Sequence, residues 1–454
     1  MQNEKRAVLI AASLSSFLTP FMGSALNVAI PVMGKQMHAT AVAISWVVSA
    51  YLITSAMFLL PFGRLADMLG RKKIFLAGIA LFGVSSLFCM MSPSIGVLIA
   101  ARVVQGVASA MVFGTSVSLI TSALPPGERG RALGYNTATV YLGLSIGPVT
   151  GGFLTQTASW RTIFLVVAVL AGVTWLYARR IRSEWSPAKG EQFDTTGAVL
   201  YCLALTLLMS AVSLKQSGIV LAVIAVVLLI AFGLHTGRQT HPLLDLRMFR
   251  ESTVFTFSTL AALLNYGATF SVGYLLSLYL QTVRGFTPQS AGTLLLVQPV
   301  VQAAFSPLAG ALSDRREPRV VASTGMLLTT LCLLAYTFMP YRASIGFLVG
   351  VLAAAGLGFA LFSSPNVNAI MSAVPSSRYG VASSIVSTAR MLGQSFSMAL
   401  ILLIFSVTMQ DVPLSPAHGD ALFRSMRVAF GVSTVLSLLG VFASLARGRM
   451  HVTQ

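Results

Sequence analysis

The chain is a succession of apolar runs, each about 18 to 28 residues long, divided by short charged or proline-bearing breaks. Such a run crosses roughly 30 Å of hydrocarbon at about 1.5 Å per residue. A backbone facing lipid has to satisfy its own hydrogen bonds, so each run is predicted to be a helix. A β-barrel would alternate apolar and polar residues in segments of about ten, and these runs do not alternate. Composition closes the soluble alternatives: 9% of the 454 residues are charged, against about 25% in an average soluble domain, and the mean hydropathy is +0.82.

The formal net charge of +18 would suggest a nucleic-acid partner if the basic residues were gathered on one soluble domain, but they sit between the runs. No nucleic acid is expected. Cys89, Cys202 and Cys332 all fall inside runs and are odd in number, which argues against a disulfide framework. Metal-ligand spacing is absent, so neither a metal nor a cofactor is expected. The first run begins after Lys5 and Arg6, as a signal peptide would, but continues to about Val32, well past an h-region of about 7–15 residues. It reads as a retained first span.

With charges, prolines and polar loops taken as breaks, spans are predicted at about 7–33, 43–62, 74–92, 96–120, 133–156, 162–179 and 196–213. The next seven fall at about 218–235, 253–280, 288–312, 320–340, 344–370, 379–407 and 422–446. An even number places both termini on one side of the bilayer. Lys35, Arg161, Lys215, Arg284, Arg342, Arg424 and Arg427 belong to one set of loops, Arg102 and Arg390 lie inside spans, and the rest of the 30 basic residues share the other side with the termini. Cytoplasmic loops carry the Lys/Arg excess, so both termini are expected in the cytoplasm.

The sequence also repeats. Ser122-Ala123-Leu124-Pro125 with Gly130 matches Ser372-Ala373-Val374-Pro375 with Gly380, and Leu142–Ser145 matches Leu392–Ser395, all at an offset of 250 residues. The segment Gly63-Arg64-Leu65-Ala66-Asp67 recurs as Gly310-Ala311-Leu312-Ser313-Asp314 at an offset of 247. Eight spans separate these two segments, two more than a six-helix repeat requires, and the surplus pair is most simply about 196–235. The expected fold is an all-α membrane protein with fourteen transmembrane helices: two parallel six-helix bundles, 1–180 and 251–454, and a linker, 181–250, carrying two extra helices.

The break after span two reads Gly63-Arg64-Leu65-Ala66-Asp67-Met68-Leu69-Gly70-Arg71-Lys72-Lys73. Glycines permit a tight turn, and a carboxylate there can pair with arginines or sit at a neighbouring helix N-terminus. This segment resembles the signature of the major facilitator superfamily, and the resemblance implies a conformational latch formed by Gly63, Asp67, Gly70 and Arg71, with Asp314 as its copy. Arg102, Gln105 and Gly106 in span four are similar to a second motif of that superfamily, associated there with proton coupling. A charged residue inside a span is a functional candidate because it costs about 2.5–3.5 kcal/mol to insert. Arg102 is also placed to snorkel to the interface or to bond backbone carbonyls as a strut. In span five, Gly143, Gly147, Pro148, Gly151 and Gly152 are close to the G-x-x-x-G-P-x-x-G-G pattern that marks exporters of the superfamily. Small residues let helices approach and Pro148 removes a backbone bond, so this segment is the candidate hinge. Asn27–Pro31, Ser45-Trp46-Val47, Trp160-Arg161, Pro242–Leu246 and Ser364-Pro365-Asn366 resemble the fourteen-span drug:proton antiporter branch.

One departure from that branch matters. The first span usually carries an acidic residue five positions before Asn27, and Met22 stands there. All twelve acidic residues fall at predicted interfaces or in loops, and the five histidines lie outside the spans or at their ends. The midplane offers Arg390 with Asn27, Tyr51, Asn136, Asn265, Tyr266, Gln298, Gln302, Asn366 and Gln394 as substrate-cavity candidates, most of which serve equally as interhelical glue. A central arginine needs an acceptor, whether helix carbonyls, water or an anionic ligand.

The expected function is secondary-active export of amphiphilic drugs or metabolites from the bacterial inner membrane by rocking of the two bundles, with protons as the coupling ion that the resemblance implies. A carrier of lipids or lipid-like metabolites and a non-transporting membrane sensor are the alternatives. No phosphate-binding loop supports ATP drive, and no nucleophile–base or metal constellation supports an enzyme. The expected partners are a small-molecule substrate, the bilayer and protons, and the expected state is a monomer.

Overall fold

The structure is a computed structural model that describes residues 2–213, 218–240, 242–244, 246–375, 379–409 and 416–448. Among them there are only helices and connections. In chain order these are α1 (Gln2–Gln36), α2 (Ala41–Leu69), α3 (Arg71–Met90), α4 (Ile95–Ala123), α5 (Pro126–Thr157), α6 (Arg161–Arg179), α7 (Thr195–Ser213) and α8 (Gly218–Thr236). A single short turn of helix, α9 (Arg247–Glu251), leads to α10 (Thr253–Thr269), α11 (Ser271–Leu278), α12 (Pro288–Leu295), α13 (Val297–Arg315), α14 (Pro318–Thr337), α15 (Ile345–Ser372), α16 (Tyr379–Thr408) and α17 (Gly419–Ala446).

Every predicted run contains helix, and the start signals are local. The hydroxyls of Ser94, Ser252, Thr287 and Ser344 accept from the third following backbone N–H and so begin α4, α10, α12 and α15. Pro288 and Pro318 stand in the first turn of α12 and α14, where a missing N–H costs nothing. Two predicted runs are subdivided. The run predicted at 253–280 is interrupted at Phe270, which keeps helical dihedrals, and ends in a wider π-helical turn at Tyr279–Val283, and the run predicted at 288–312 is interrupted at Leu296, just before Pro299.

One expectation needs correction. The residues from Gly63 to Leu69 are not a loop: α2 continues through them, and the turn is the single residue Gly70, at φ 123°. None of Arg64, Leu65, Ala66 or Met68 opposes helix, so only a left-handed position ends it. The expected count of fourteen is met in part. Twelve helices among the described residues are long and apolar enough to cross a membrane, with α10 and α11 forming one of them and α12 and α13 another. α5 and α7 are not among the twelve; the apolar part of α7 is the short Thr195–Leu208.

The chain forms two compact units. The first comprises residues 1–23, 45–143 and 159–247; within it α3 lies on α4 and α6, and α7 on α8. Ala12, Ile120, Leu124 and Ala132 form a small apolar core there. The second comprises 24–44, 144–158 and 248–454, with α10 against α15, α16 and α17, and α15 against α13 and α14. Ala261, Ala262, Ala322, Met326, Phe362 and Val441 are central to its core. The segment read as a separate linker thus belongs to the first unit, and α1 and α5 each contribute their second part to the second unit.

Candidate functional site

Because α2 runs on to Leu69, Asp67 and Arg71 stand on either side of Gly70. The Arg71 Nε donates to Asp67 Oδ1 at 2.7 Å, while its Nη1 donates to the Ser118 carbonyl at 3.2 Å and to Ser122 Oγ at 2.5 Å. The latch residues of the first half are therefore joined to each other and to the end of α4. Gly63 lies where α2 passes α4, and a Cβ on Gly114 would be 3.4 Å from its Cα. Asp314 is the penultimate residue of α13, as Asp67 is near the end of α2, and its side chain lies outside the described part of the structure.

Arg102 is fully buried, at 1% exposure. Its Nε donates to the Val47 carbonyl at 2.9 Å and its Nη1 to Gln105 Oε1, and its Cζ stands 4.1 Å from the centre of the Tyr51 ring. Gln105 Nε2 donates to Ser86 Oγ at 2.7 Å, and that hydroxyl donates to the Phe82 carbonyl at 2.6 Å. The Tyr51 hydroxyl meets Ser109 Oγ at 2.7 Å. Arg102 is thus buried against the helices with a bond to one backbone carbonyl. Gly106 admits this closeness, since a Cβ there would lie 2.6 Å from the Tyr51 carbonyl oxygen. Coulomb and cation–π terms in a site of low polarity hold α2, α3 and α4 together.

Three glycines of α5 lie close to the backbone of other helices. A Cβ on Gly143 would lie 2.6 Å from the Phe17 carbonyl oxygen, and on Gly151 2.5 Å from that of Ala25. Gly152 faces α12, where a Cβ would come 2.5 Å from the Pro288 carbonyl oxygen, and Gly292 of α12 abuts the carbonyl of Pro148. Gln156 adds a bond to the backbone N–H of Gln289, at 3.3 Å. Gly147 and Pro148 are buried. Within the second unit, the second part of α5 thus meets α1 at Gly151 and α12 at Gly152 and Gly292 by close main-chain approach, and the Gln156 side chain adds its bond to α12.

The cavity candidates do not share one environment. Tyr51 belongs to the Arg102 network. Asn366 is 2% exposed; its Nδ2 donates to the Ser258 carbonyl at 3.0 Å and its Oδ1 accepts from Arg447 Nη1 at 3.1 Å. Arg447, which follows the last predicted span, is not among the candidates that the sequence suggests. The residue is fully buried and also donates to Ser444 Oγ at 2.6 Å and Ser258 Oγ at 3.2 Å. In the repeat, Asn366 stands 250 residues after Ser116, which occupies the matching place in the first half and meets Ser15 Oγ at 3.2 Å. Asn265 is 1% exposed with neither end of its carboxamide bonded, and Asn27 and Asn136 each keep a buried amide oxygen without a partner. Gln302 is buried, while Tyr266, Gln298, Arg390 and Gln394 are half-buried.

The Major Facilitator Superfamily model matches residues 12–398 and 258–452. The chain belongs to the major facilitator superfamily. Among similar proteins of this superfamily, the multidrug resistance protein Stp of Mycobacterium tuberculosis is 32% identical over 410 residues, 88% of this chain and 76% of Stp. The riboflavin transporter RibZ of Clostridioides difficile is 26% identical over 449 residues, 97% of both chains. A solved bacterial homologue of the human lysosomal transporter Spinster aligns over 98% of this facilitator and 97% of its own chain with a TM-score of 0.69, at 16% identity, a likeness of fold. The facilitator is accordingly a multi-pass membrane protein.

Proposed function

We propose that this facilitator is a secondary-active exporter of amphiphilic small molecules, with fourteen membrane-spanning helices and both termini in the cytoplasm of a bacterial inner membrane. The observation that carries the reading is the main-chain contact of Gly151, Gly152 and Pro148 with Ala25, Pro288 and Gly292. Close main-chain approach at glycines leaves few side chains to withdraw, so it suits a face that closes and parts in each cycle of alternating access. Its sequence follows the exporter pattern, and one relative is named for multidrug resistance. Counting α5 and α7 as spans gives the fourteen helices and sets the basic excess on the side of the termini.

Coupling to protons follows from the resemblance. Each acidic residue described lies in an end turn of a helix or in a connection, so this reading places proton exchange at the membrane edge and not at the midplane. An arginine releases no proton near neutral pH, which leaves Arg102 a structural and electrostatic part. The test uses liposomes holding the purified protein, with an imposed pH gradient and three probes: riboflavin, an organic anion and a lipophilic cation. Gradient-driven movement of any of them supports the reading. Counterflow that is indifferent to the gradient would overturn the proton drive, and no movement of any probe would overturn export.

A further inference from the structure

The segment between α6 and α8, which the motifs leave without a role, is bonded to α2 at two places. Pro61 lies inside α2 and has no N–H, so the carbonyl of Met57 loses its helical donor. The Cys202 thiol of α7 donates to that carbonyl at 3.4 Å, and the Tyr201 hydroxyl donates to the neighbouring Ala56 carbonyl at 3.0 Å. Tyr201 is buried and its ring lies 5.4 Å from that of Phe232, which joins α8 to the same contact. The extra helices therefore supply hydrogen bonds where the proline has interrupted those of α2.

The second place is the turn. α3 begins at Arg71 without a side-chain cap from Gly70, which has none to give. Its first three N–H groups are met from the connection 180–194: Trp185 O accepts from Arg71 N at 2.9 Å, Glu184 Oε1 from Lys72 N at 2.8 Å and Glu184 Oε2 from Lys73 N at 3.2 Å. A carboxylate is the favoured group at a helix N-terminus. A Cβ at position 70 would lie 2.5 Å from the Glu184 Cδ, so Gly70 is required by this cap as well as by its φ. The same connection donates from Ala188 N to the Asp67 carbonyl at 3.0 Å, and Glu191 forms an ion pair with Arg64. Asp194 closes the assembly by capping α7 through Gly197 N at 2.8 Å and pairing with His235 of α8 at 2.8 Å.

Asp67 and Arg71 are thus held from two directions. Their side chains bond each other and α4, while their backbone groups, Asp67 O and Arg71 N, bond the connection. We propose that residues 181–213 and 218–236 are a brace that sets the register of the α2–α3 turn and supports α2 beside Pro61, with Glu184 and Tyr201 as positioning residues that act through Asp67 and Arg71 on the rate of alternating access. The step from brace to rate rests on the transport reading above; the brace itself does not.

Two measurements on the full-length protein separate these parts. Hydrogen–deuterium exchange in Glu184→Ala is expected to speed roughly five- to thirty-fold at the amides of residues 68–74, the scale of a lost helix cap, with α4 and α6 unchanged. Glu184→Gln, which keeps one acceptor, restores part of the protection. Tyr201→Phe, which removes one oxygen and no volume, raises exchange at residues 56–62. In riboflavin counterflow, Glu184→Ala and Tyr201→Phe lower Vmax several-fold and leave KM unchanged, a split that general misfolding would not give. Unchanged exchange at 68–74 in Glu184→Ala overturns the brace whether or not riboflavin is carried. Faster exchange with unaltered Vmax overturns its role in transport. If the unsubstituted protein carries no riboflavin, the loss falls on the transport reading, and the exchange measurement alone decides the brace.

Discussion

A guanidinium brings five N–H donors and a charge it cannot shed near neutral pH, so burying one demands acceptors arranged around it. Arg102 finds a carbonyl, an amide oxygen and an aromatic face, and Arg447 finds Asn366, Ser258 and Ser444. Replacing Arg102 by Ala strands the Gln105 oxygen and the Val47 carbonyl, and the expected loss is about 1–3 kcal/mol of stability, read as a lower unfolding midpoint in detergent. Arg102→Lys keeps the charge and loses the fork and the stacking, and is expected to recover less than half of that loss. Asp67 behaves differently, because its carboxylate is about one third exposed and its pair with Arg71 is screened. Asp67→Asn should leave the unfolding midpoint within a degree or so of the parent while transport falls several-fold; equal transport rates in the two proteins would remove Asp67 from the latch. Arg102 was legible from sequence because a charge inside an apolar run is costly. Arg447 was not, since a basic residue at the end of a run reads as a solvated loop cation, and only the convergence of α10, α15 and α17 surrounds it.

Among the elements, α5 shows how a sequence pattern becomes a mechanical part. Its glycines leave one strip without side chains, and the main chains of α1 and α12 come to rest on that strip. Gly151→Val places two methyl groups where the Ala25 backbone stands, and the small-to-large cost of about 1–3 kcal/mol falls on the conformer that makes this contact. The expected outcome is a turnover reduced about tenfold or more with substrate affinity changed less than threefold, measured by counterflow and by ligand-induced thermal shift. Equal losses in both would instead mark a damaged binding site. α2 carries the complementary lesson. Its apolar run gave the helix, yet the end at Leu69 lies well past the expected one, because a glycine and an arginine inside a helix cost little and the chain turns only where φ must be positive. The connection 180–194 carried no motif, and its bonds to Asp67, Arg71 and Lys72 are made by backbone groups and one glutamate that no spacing singles out.

For the whole molecule, the distribution of charge is the property with consequences for cargo. A site for a monovalent organic cation ordinarily holds a buried carboxylate, because desolvating a cation among neutral groups is expensive. The acidic residues described are confined to helix ends and connections, and buried guanidinium groups lie in both units. Neutral and anionic amphiphiles should therefore be carried in preference to lipophilic cations, and Arg390→Ala should weaken the anion most; robust accumulation of a cation, unaffected by that substitution, would refute this. The sequence by itself determined the helices, the membrane, the repeat and the superfamily, because apolar length, glycine and proline placement and charge asymmetry act locally and leave their marks along the chain. Only the tertiary structure decided that residues 181–236 join the first unit rather than link two bundles, that the second parts of α1 and α5 belong with 248–454, and that Asn366 is held by an arginine. These depend on which backbone carbonyls are left free and which helices come close enough to use them, and such pairings between distant residues have no period or spacing from which to be read.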